Sequence, residues 1–246
     1  MKGILEMNSL RYITCLLGLL MVGTMALPKT SPAQAGILDE GTFRISIAGR
    51  DVGSETFTIR RTGSDSQAPI DARGNTTLEV GGETEEMISA LQVSGGTLQP
   101  TGYNARIRVD SREERIAGRL TSGRFTSRIT SPTGEELREY LTSAGAVLVD
   151  QGFIHQFYFL ARRIREGAER VPLIIPRQGR QVTATVQSLG TGIITIGGQR
   201  LDALHYLVEA PALDPVHLWV DDQSRILRVE IRARNLTATR TTPPRL

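Results

Sequence analysis

This chain of 246 residues is poor in the side chains that most often carry catalysis or metal binding. It has one cysteine, three histidines and one tryptophan, and aromatic residues make up only 5% of it. A single cysteine excludes a disulfide framework within the chain. Because the histidines follow neither an H-x-H nor an H-E-x-x-H spacing, we expect no metal site.

Motifs for nucleophilic catalysis and for nucleotide binding are also missing. The sequence contains no G-x-S-x-G elbow, no Walker-type loop and no G-x-G-x-x-G. The acidic pairs Glu113-Glu114, Glu135-Glu136 and Asp221-Asp222 lie at predicted turns, which is more typical of solvated surface than of a glycosidase dyad. The sequence therefore favours a protein without catalytic activity and without a cofactor.

The charges are nearly balanced and contain almost no lysine. There are 29 basic and 26 acidic residues, and every basic residue after Lys29 is an arginine. A nucleic-acid-binding protein concentrates its basic residues in a patch or stripe. Here the arginines are spread from Arg44 to Arg245 among acidic residues, so we expect no nucleic-acid partner.

The first 35 residues have the layout of a secretory signal peptide. Two basic residues precede an apolar run over residues 12–27, and the small-residue triplet Ala33-Gln34-Ala35 follows. The run is shorter than the roughly 20 residues of a membrane span. We predict cleavage near Ala35-Gly36 and a periplasmic or secreted bacterial protein with no stable membrane anchor. The mature chain would be cysteine-free, because Cys15 lies in the removed part.

Strand-type alternation dominates the rest of the chain. Apolar residues alternate over residues 43–47 and 57–59 around Gly49–Gly53, and over residues 181–186 and 193–196 around Gly190 and Gly192. Such pairs of runs predict hairpins. We therefore predict an all-β fold, a large antiparallel and strongly curved sheet or an open or closed barrel. It forms a single domain over residues 36–246, with a frayed tail from about residue 241.

One segment breaks the alternation. Over about residues 150–167 the apolar side chains follow spacings of three and four, arginines gather near the end, and Gly167 closes the run. This predicts one aromatic-rich helix, with Asp150 as its N-cap. The helix is expected either to complete the core or to plug or flank the concave face of the sheet.

The C-terminal hairpins carry a family resemblance. Residues 218–230, which read L-W-V-D-D-Q-S-R-I-L-R-V-E, and the strand residues 194–198 before them resemble hairpins of exported bacterial β-rich proteins of unknown function. These proteins are loosely similar to lipoprotein-carrier-like open β-barrels. The resemblance implies a curved antiparallel sheet that cups an apolar ligand against a helix, and it implies no catalytic residue.

Three functional hypotheses follow. The first is a non-catalytic binding or carrier protein for an apolar or amphiphilic molecule. The second is an envelope scaffold that binds another envelope protein, with the cup filled by its own side chains. The third is a hydrolase-type enzyme that uses Asp150 and His155. For the first hypothesis the predicted ligand-binding residues come from the helix and two strands: Phe153, His155, Phe157, Tyr158, His205 and Trp219.

Overall fold

The computed structural model describes residues 36–211 and 213–245, so the predicted signal peptide lies outside the described residues. The described chain forms fifteen strands and one α-helix, α1 (Phe157–Arg165), which a 3-10 turn at Ile154–Gln156 precedes. The strands are β1 (Gly36–Ile47), β2 (Arg50–Arg61), β3 (Ile70–Val80), β4 (Glu83–Val93), β5 (Pro100–Val109), β6 (Arg112–Thr121), β7 (Arg124–Ser131), β8 (Gly134–Leu141), β9 (Val147–Leu148), β10 (Arg170–Ile175), β11 (Arg180–Ile196), β12 (Gln199–Ala210), β13 (Leu213–Val220), β14 (Ile226–Ile231) and β15 (Leu236–Arg240).

All fifteen strands belong to one sheet. Its order runs from β8 down to β1, continues to β15 and then descends to β9. Neighbouring strands are antiparallel, except that β9 and β10 are parallel. β8 and β9 form the two edges of the sheet, which is therefore open. The predicted all-β class with one helix is confirmed.

Tight turns join many of the strands. In four of them both central residues have positive φ, as a type I′ hairpin turn requires: Ala48-Gly49, Gly81-Gly82, Ser122-Gly123 and Gly197-Gly198. The hairpin predicted around Gly190 and Gly192 is wrong. Both glycines lie inside β11, which continues through a bulge between Ser188 and Thr191.

Alternation along the strands gives the sheet two distinct faces. The face whose side chains form the main core is called the inner face. Its core side chains include Phe43, Tyr103 and Phe125, which are all fully buried. α1 packs on this face through buried residues such as Phe159 and Leu160. The other, outer face carries most of the charged residues.

A buried ion pair secures the junction where β1 meets β15. The Arg240 guanidinium is 2.6 Å from Asp39 Oδ1, and its central carbon lies 5.2 Å from the centre of the Phe57 ring. Burial raises the pKa of Asp39, and the charge of Arg240 opposes that rise. The chain that follows packs against β1, since the Thr241 amide donates to the Thr42 carbonyl at 2.9 Å. The residue at which the predicted tail begins is therefore hydrogen-bonded to β1.

Candidate functional site

An apolar cleft opens on the inner face at one end of the sheet. The ends of β1, β3 and β14 and the starts of β4, β13 and β15 meet there, and the segment before α1 covers them. Its volume is about 350 Å³. The apolar side chains that line it are Ile45, Ile47, Leu78, Val80, Met87, Val149, Phe153, Ile154, Phe157, Leu213, Val216, Ile231 and Leu236.

Charged and polar groups also border the cleft. Arg234 Nε is 2.6 Å from Asp214 Oδ2, so these two side chains neutralise each other. Arg177 contributes a second guanidinium, and its Nε lies 3.7 Å from a carboxylate oxygen of Asp150. Glu85 supplies a further carboxylate. The cleft thus combines apolar walls with a few polar groups, as small-molecule sites usually do.

A carboxylate from a distant strand anchors the segment that carries Phe153 and Phe157. Glu55 on β2 accepts hydrogen bonds from the Ile154 and His155 amides, both at 2.7 Å. The Thr76 hydroxyl donates to it at 3.1 Å, and His155 Nδ1 is 2.9 Å away. The amides at the start of a helix have no partner within it. Glu55 satisfies two of these amides in the 3-10 turn, and sequence reasoning missed it.

The prediction that Asp150 caps the helix is wrong. The N-cap of α1 is Gln156, and neither α1 nor the preceding turn has a side-chain cap at its N-cap position. The Asp150 carboxylate instead accepts from the Tyr103 hydroxyl at 2.7 Å and from the Gln151 amide at 3.0 Å. Burial raises the pKa of Asp150, while the nearby Arg177 charge lowers it. Asp150 therefore ties the loop before the helix to β5.

His155 is enclosed in the core and does not line the cleft. The His155 and Glu55 side chains are both 0% exposed. Phe57 stacks on the imidazole at 6.2 Å between ring centres, and Phe153 meets it edge-on at 6.1 Å. Its hydrogen-bonding partner is Glu55, whereas Asp150 bonds Tyr103. In this arrangement a substrate cannot reach the imidazole, which counts against a hydrolase built on Asp150 and His155.

The predicted residues on β12 and β13 lie on the outer face, away from the cleft. Residues that pair across two strands share one face of a sheet. His205 pairs with Trp219, whereas the neighbouring pair, Tyr206 with Leu218, points into the main core. The predicted set is therefore divided. Phe153 and Phe157 line the cleft, while Tyr158 is buried edge-on to Phe159 within α1.

The outer residues form a small cluster of their own. His205 Nε2 is 3.0 Å from His217 Nδ1, and the His205 ring stacks on Trp219 at 4.1 Å. The Arg228 guanidinium lies 5.9 Å from the centre of the Trp219 ring. Partial desolvation lowers the pKa of both histidines. Neutral imidazoles are therefore favoured, and one ring can donate a hydrogen bond to the other.

Neither a metal-binding group nor a membrane-spanning helix is found among the described residues. Within residues 36–211 and 213–245 no three histidine, cysteine, aspartate or glutamate side chains are grouped so as to hold a metal ion. No helix in that part of the chain is long and apolar enough to cross a membrane.

Comparison with solved structures finds one similar fold. The crystal structure of a beta-barrel-like protein of domain of unknown function DUF1849 from Brucella abortus superposes with a TM-score of 0.56. The match covers 83% of this chain and 97% of the other, at 8% sequence identity. Such low identity supports a shared fold and carries no function. No protein-family model matches the sequence, and no curated protein matches it.

Proposed function

We propose that this protein is a non-catalytic binding or carrier protein that holds one apolar or amphiphilic molecule in the inner-face cleft. The cleft itself carries the proposal, because apolar side chains from six strands and from the segment before α1 line its volume of about 350 Å³. Small-molecule sites usually measure roughly 300–1,000 Å³. A cleft at the lower end of that range suits one small molecule or a single hydrocarbon chain.

The polar border favours an amphiphile over a purely apolar molecule. Arg177 Nε is buried and has no hydrogen-bond partner among the described residues, and Asp150 and Glu114 approach it only to 3.7 Å. A buried donor without an acceptor is costly. A polar head group could accept from this guanidinium while its apolar part contacts Phe153 and Phe157.

Export places this activity in the bacterial envelope. That part of the proposal rests on the sequence pattern of residues 1–35, which predicts cleavage near Ala35 and release from the membrane. Amphiphilic molecules that such a carrier could bind are abundant in the envelope.

An envelope scaffold is the second candidate, and a different observation favours it. Over β5 to β7 the inner face is filled by the protein's own side chains, including Tyr103, Ile116 and Phe125, each at most 2% exposed. A scaffold needs no cavity, so binding of a small molecule in the cleft would favour the carrier over the scaffold.

Titration with the apolar fluorophore N-phenyl-1-naphthylamine tests the proposal. We expect saturable binding to the wild-type protein and much weaker binding to Leu236→Trp, because the larger side chain fills the cleft. Ile193→Trp is the matched control, since Ile193 is 54% exposed and does not line the cleft. Equal binding by all three proteins, or none by the wild type, would contradict a ligand site in the cleft.

A further inference from the structure

A shallow depression lies on the outer face of β3 to β7, on the opposite side of the sheet from the cleft. Its floor consists of Ala90, Asn104 and Ala117, which pair in one row across β4, β5 and β6. Two adjoining hollows of about 730 and 420 Å³ share these three residues. Small side chains at the centre of the row leave the space that the hollows occupy.

Five arginines line the two hollows, and we call them the arginine patch: Arg73, Arg106, Arg115, Arg119 and Arg128. Arg73 pairs with Ala90 at one end of the central row, and Arg128 pairs with Ala117 at the other. Strands lie about 4.8 Å apart. The patch therefore spans five neighbouring strands, and its members surround the floor instead of lying along one strand.

Most of this charge is not neutralised. Arg73, Arg106 and Arg119 form no ion pair with any residue that the structure describes. Of the other two, Arg115 pairs with Glu113 at 2.6 Å and Arg128 with Glu135 at 3.3 Å. Asp71 is the one carboxylate that lines either hollow. The chain as a whole is nearly neutral at +3, so the patch is a local concentration of positive charge.

One pair within the patch conflicts with the usual pairing in sheets. Arg106 on β5 stands directly opposite Arg115 on β6. Like charges in directly opposed positions destabilise an antiparallel sheet. A local conflict of this kind is typical of positions that serve a function instead of stability.

We propose that the arginine patch binds a compact multivalent oxyanion, of the chemical class of phosphate esters or polyphosphates. Guanidinium groups present planar pairs of donors that match phosphate oxygens and stay charged at any physiological pH. Several guanidinium groups around a floor of small side chains suit a ligand with several charges close together. The patch and the cleft lie on opposite faces, so the two sites are independent and either can exist without the other.

Isothermal titration of the full chain with inorganic tripolyphosphate at low salt tests this site. We expect saturable binding that the double variant Arg106→Ala/Arg119→Ala weakens by about tenfold or more, since each charged hydrogen bond contributes substantially. The matched control is Arg170→Ala/Arg200→Ala, which removes two exposed strand arginines from the other half of the sheet. The control should bind as the wild type does.

Ala117→Glu is the second variant, and it separates binding from folding. A carboxylate at this exposed central position should abolish tripolyphosphate binding, while the neighbouring arginines should keep the thermal unfolding temperature at or above that of the wild type. Undiminished binding by Ala117→Glu, an equal loss in the control variant, or no binding by the wild type would overturn the proposal.

Sedimentation with vesicles that contain phosphatidic acid distinguishes the source of the phosphate. Binding to both probes assigns the patch to a lipid head group, and binding to tripolyphosphate alone assigns it to a soluble phosphate compound. Both outcomes support the proposal. Binding to vesicles without any binding of tripolyphosphate would show attraction to a charged surface only, and it would overturn a compact phosphate site.

Discussion

The two faces of the sheet use the same kinds of side chain in opposite ways. On the inner face His155 is completely buried and held by Glu55, which also accepts from two backbone amides. On the outer face His205 and His217 contact each other beside the half-buried Trp219. Inner polar groups therefore fix the position of the helical segment that borders the cleft, whereas the outer histidines belong to a small cluster in which His217 is buried and His205 and Trp219 are partly exposed. Substitutions on the two faces should differ accordingly.

The largest expected effect comes from Glu55. Glu55→Ala leaves the Ile154 and His155 amides and the Thr76 hydroxyl without their acceptor in the core. Breaking a buried charge network of this kind costs about 3–5 kcal/mol of the free energy of unfolding. Urea denaturation measures it.

Glu86→Ala is the matched control on the outer face. Glu86 pairs with Arg108 at 3.3 Å and is 51% exposed. An exposed ion pair contributes about 1 kcal/mol or less. Equal costs for Glu55→Ala and Glu86→Ala would show that the inner network does not hold the helical segment.

Phe157→Ala should have the next largest effect. Phe157 is 7% exposed, packs in the main core and also lines the cleft. We expect a loss of about 3 kcal/mol, at the low end for buried phenylalanine, because the adjoining cleft already provides space. Unfolding by urea together with fluorophore titration separates its two roles. Weaker ligand binding with unchanged stability would contradict a position in the core.

Gly74→Ala tests how closely the inner face encloses His155. An added Cβ would lie 2.4 Å from Cε1 and 2.5 Å from Nδ1 of the imidazole, so the ring or the β3 backbone would have to shift. Overpacking of this type costs about 1–3 kcal/mol.

Gly102→Ala is the control for that substitution. Gly102 lies in β5 with open space around its Cβ position, and alanine should be tolerated there. If both alanine variants are as stable as the wild type, the enclosure of His155 is looser than the structure indicates.

The smallest expected effect is a pH dependence on the outer face. The pKa values of His205 and His217 are lowered from 6.5, mainly by desolvation, while Glu230 raises and Arg232 lowers them. Because these pKa values are lower in the folded protein, the unfolded chain takes up protons at a higher pH than the folded protein does. The contribution of the two neutral histidines to stability is therefore complete above about pH 6.5 and is lost as the pH falls through the lowered pKa values. We expect the double variant His205→Asn/His217→Asn to lose less stability than the wild type between about pH 7.5 and pH 5.5.

Urea unfolding followed by the emission of Trp219 measures this difference. Both proteins retain Asp39 and Asp150, whose raised pKa values act in the opposite direction and cancel in the comparison. Identical losses in the two proteins would show that the outer histidines do not titrate in this window.

Much of the architecture follows from local sequence pattern. Alternation of apolar residues predicts most strands, and the spacing of Phe157, Leu160 and Ile164 predicts the single helix, although α1 begins at Phe157 and is shorter than the predicted residues 150–167. Two of the six predicted ligand-binding residues, Phe153 and Phe157, line the cleft. Local pattern is sufficient for these features because each depends on neighbours only a few residues away.

The remaining features depend on long-range pairing. Glu55 meets Ile154 and His155 across separations of 99 and 100 residues, which one sequence cannot reveal. Trp219 belongs to a strand with large, at least partly buried side chains on both faces, so alternation alone does not show which face meets the core. The arginine patch is spread over residues 73–128, and only strand pairing brings its members together.

Native mass spectrometry of the full-length protein, purified without detergent from cells that produce it, tests the central claim most directly. If the inner-face cleft holds a ligand, a fraction of the protein should carry the added mass of one small apolar or amphiphilic molecule. That added mass should be lost in Leu236→Trp and kept in Ile193→Trp. A bare chain in every preparation, or an adduct that persists in Leu236→Trp, would contradict the assignment of the cleft as the binding site.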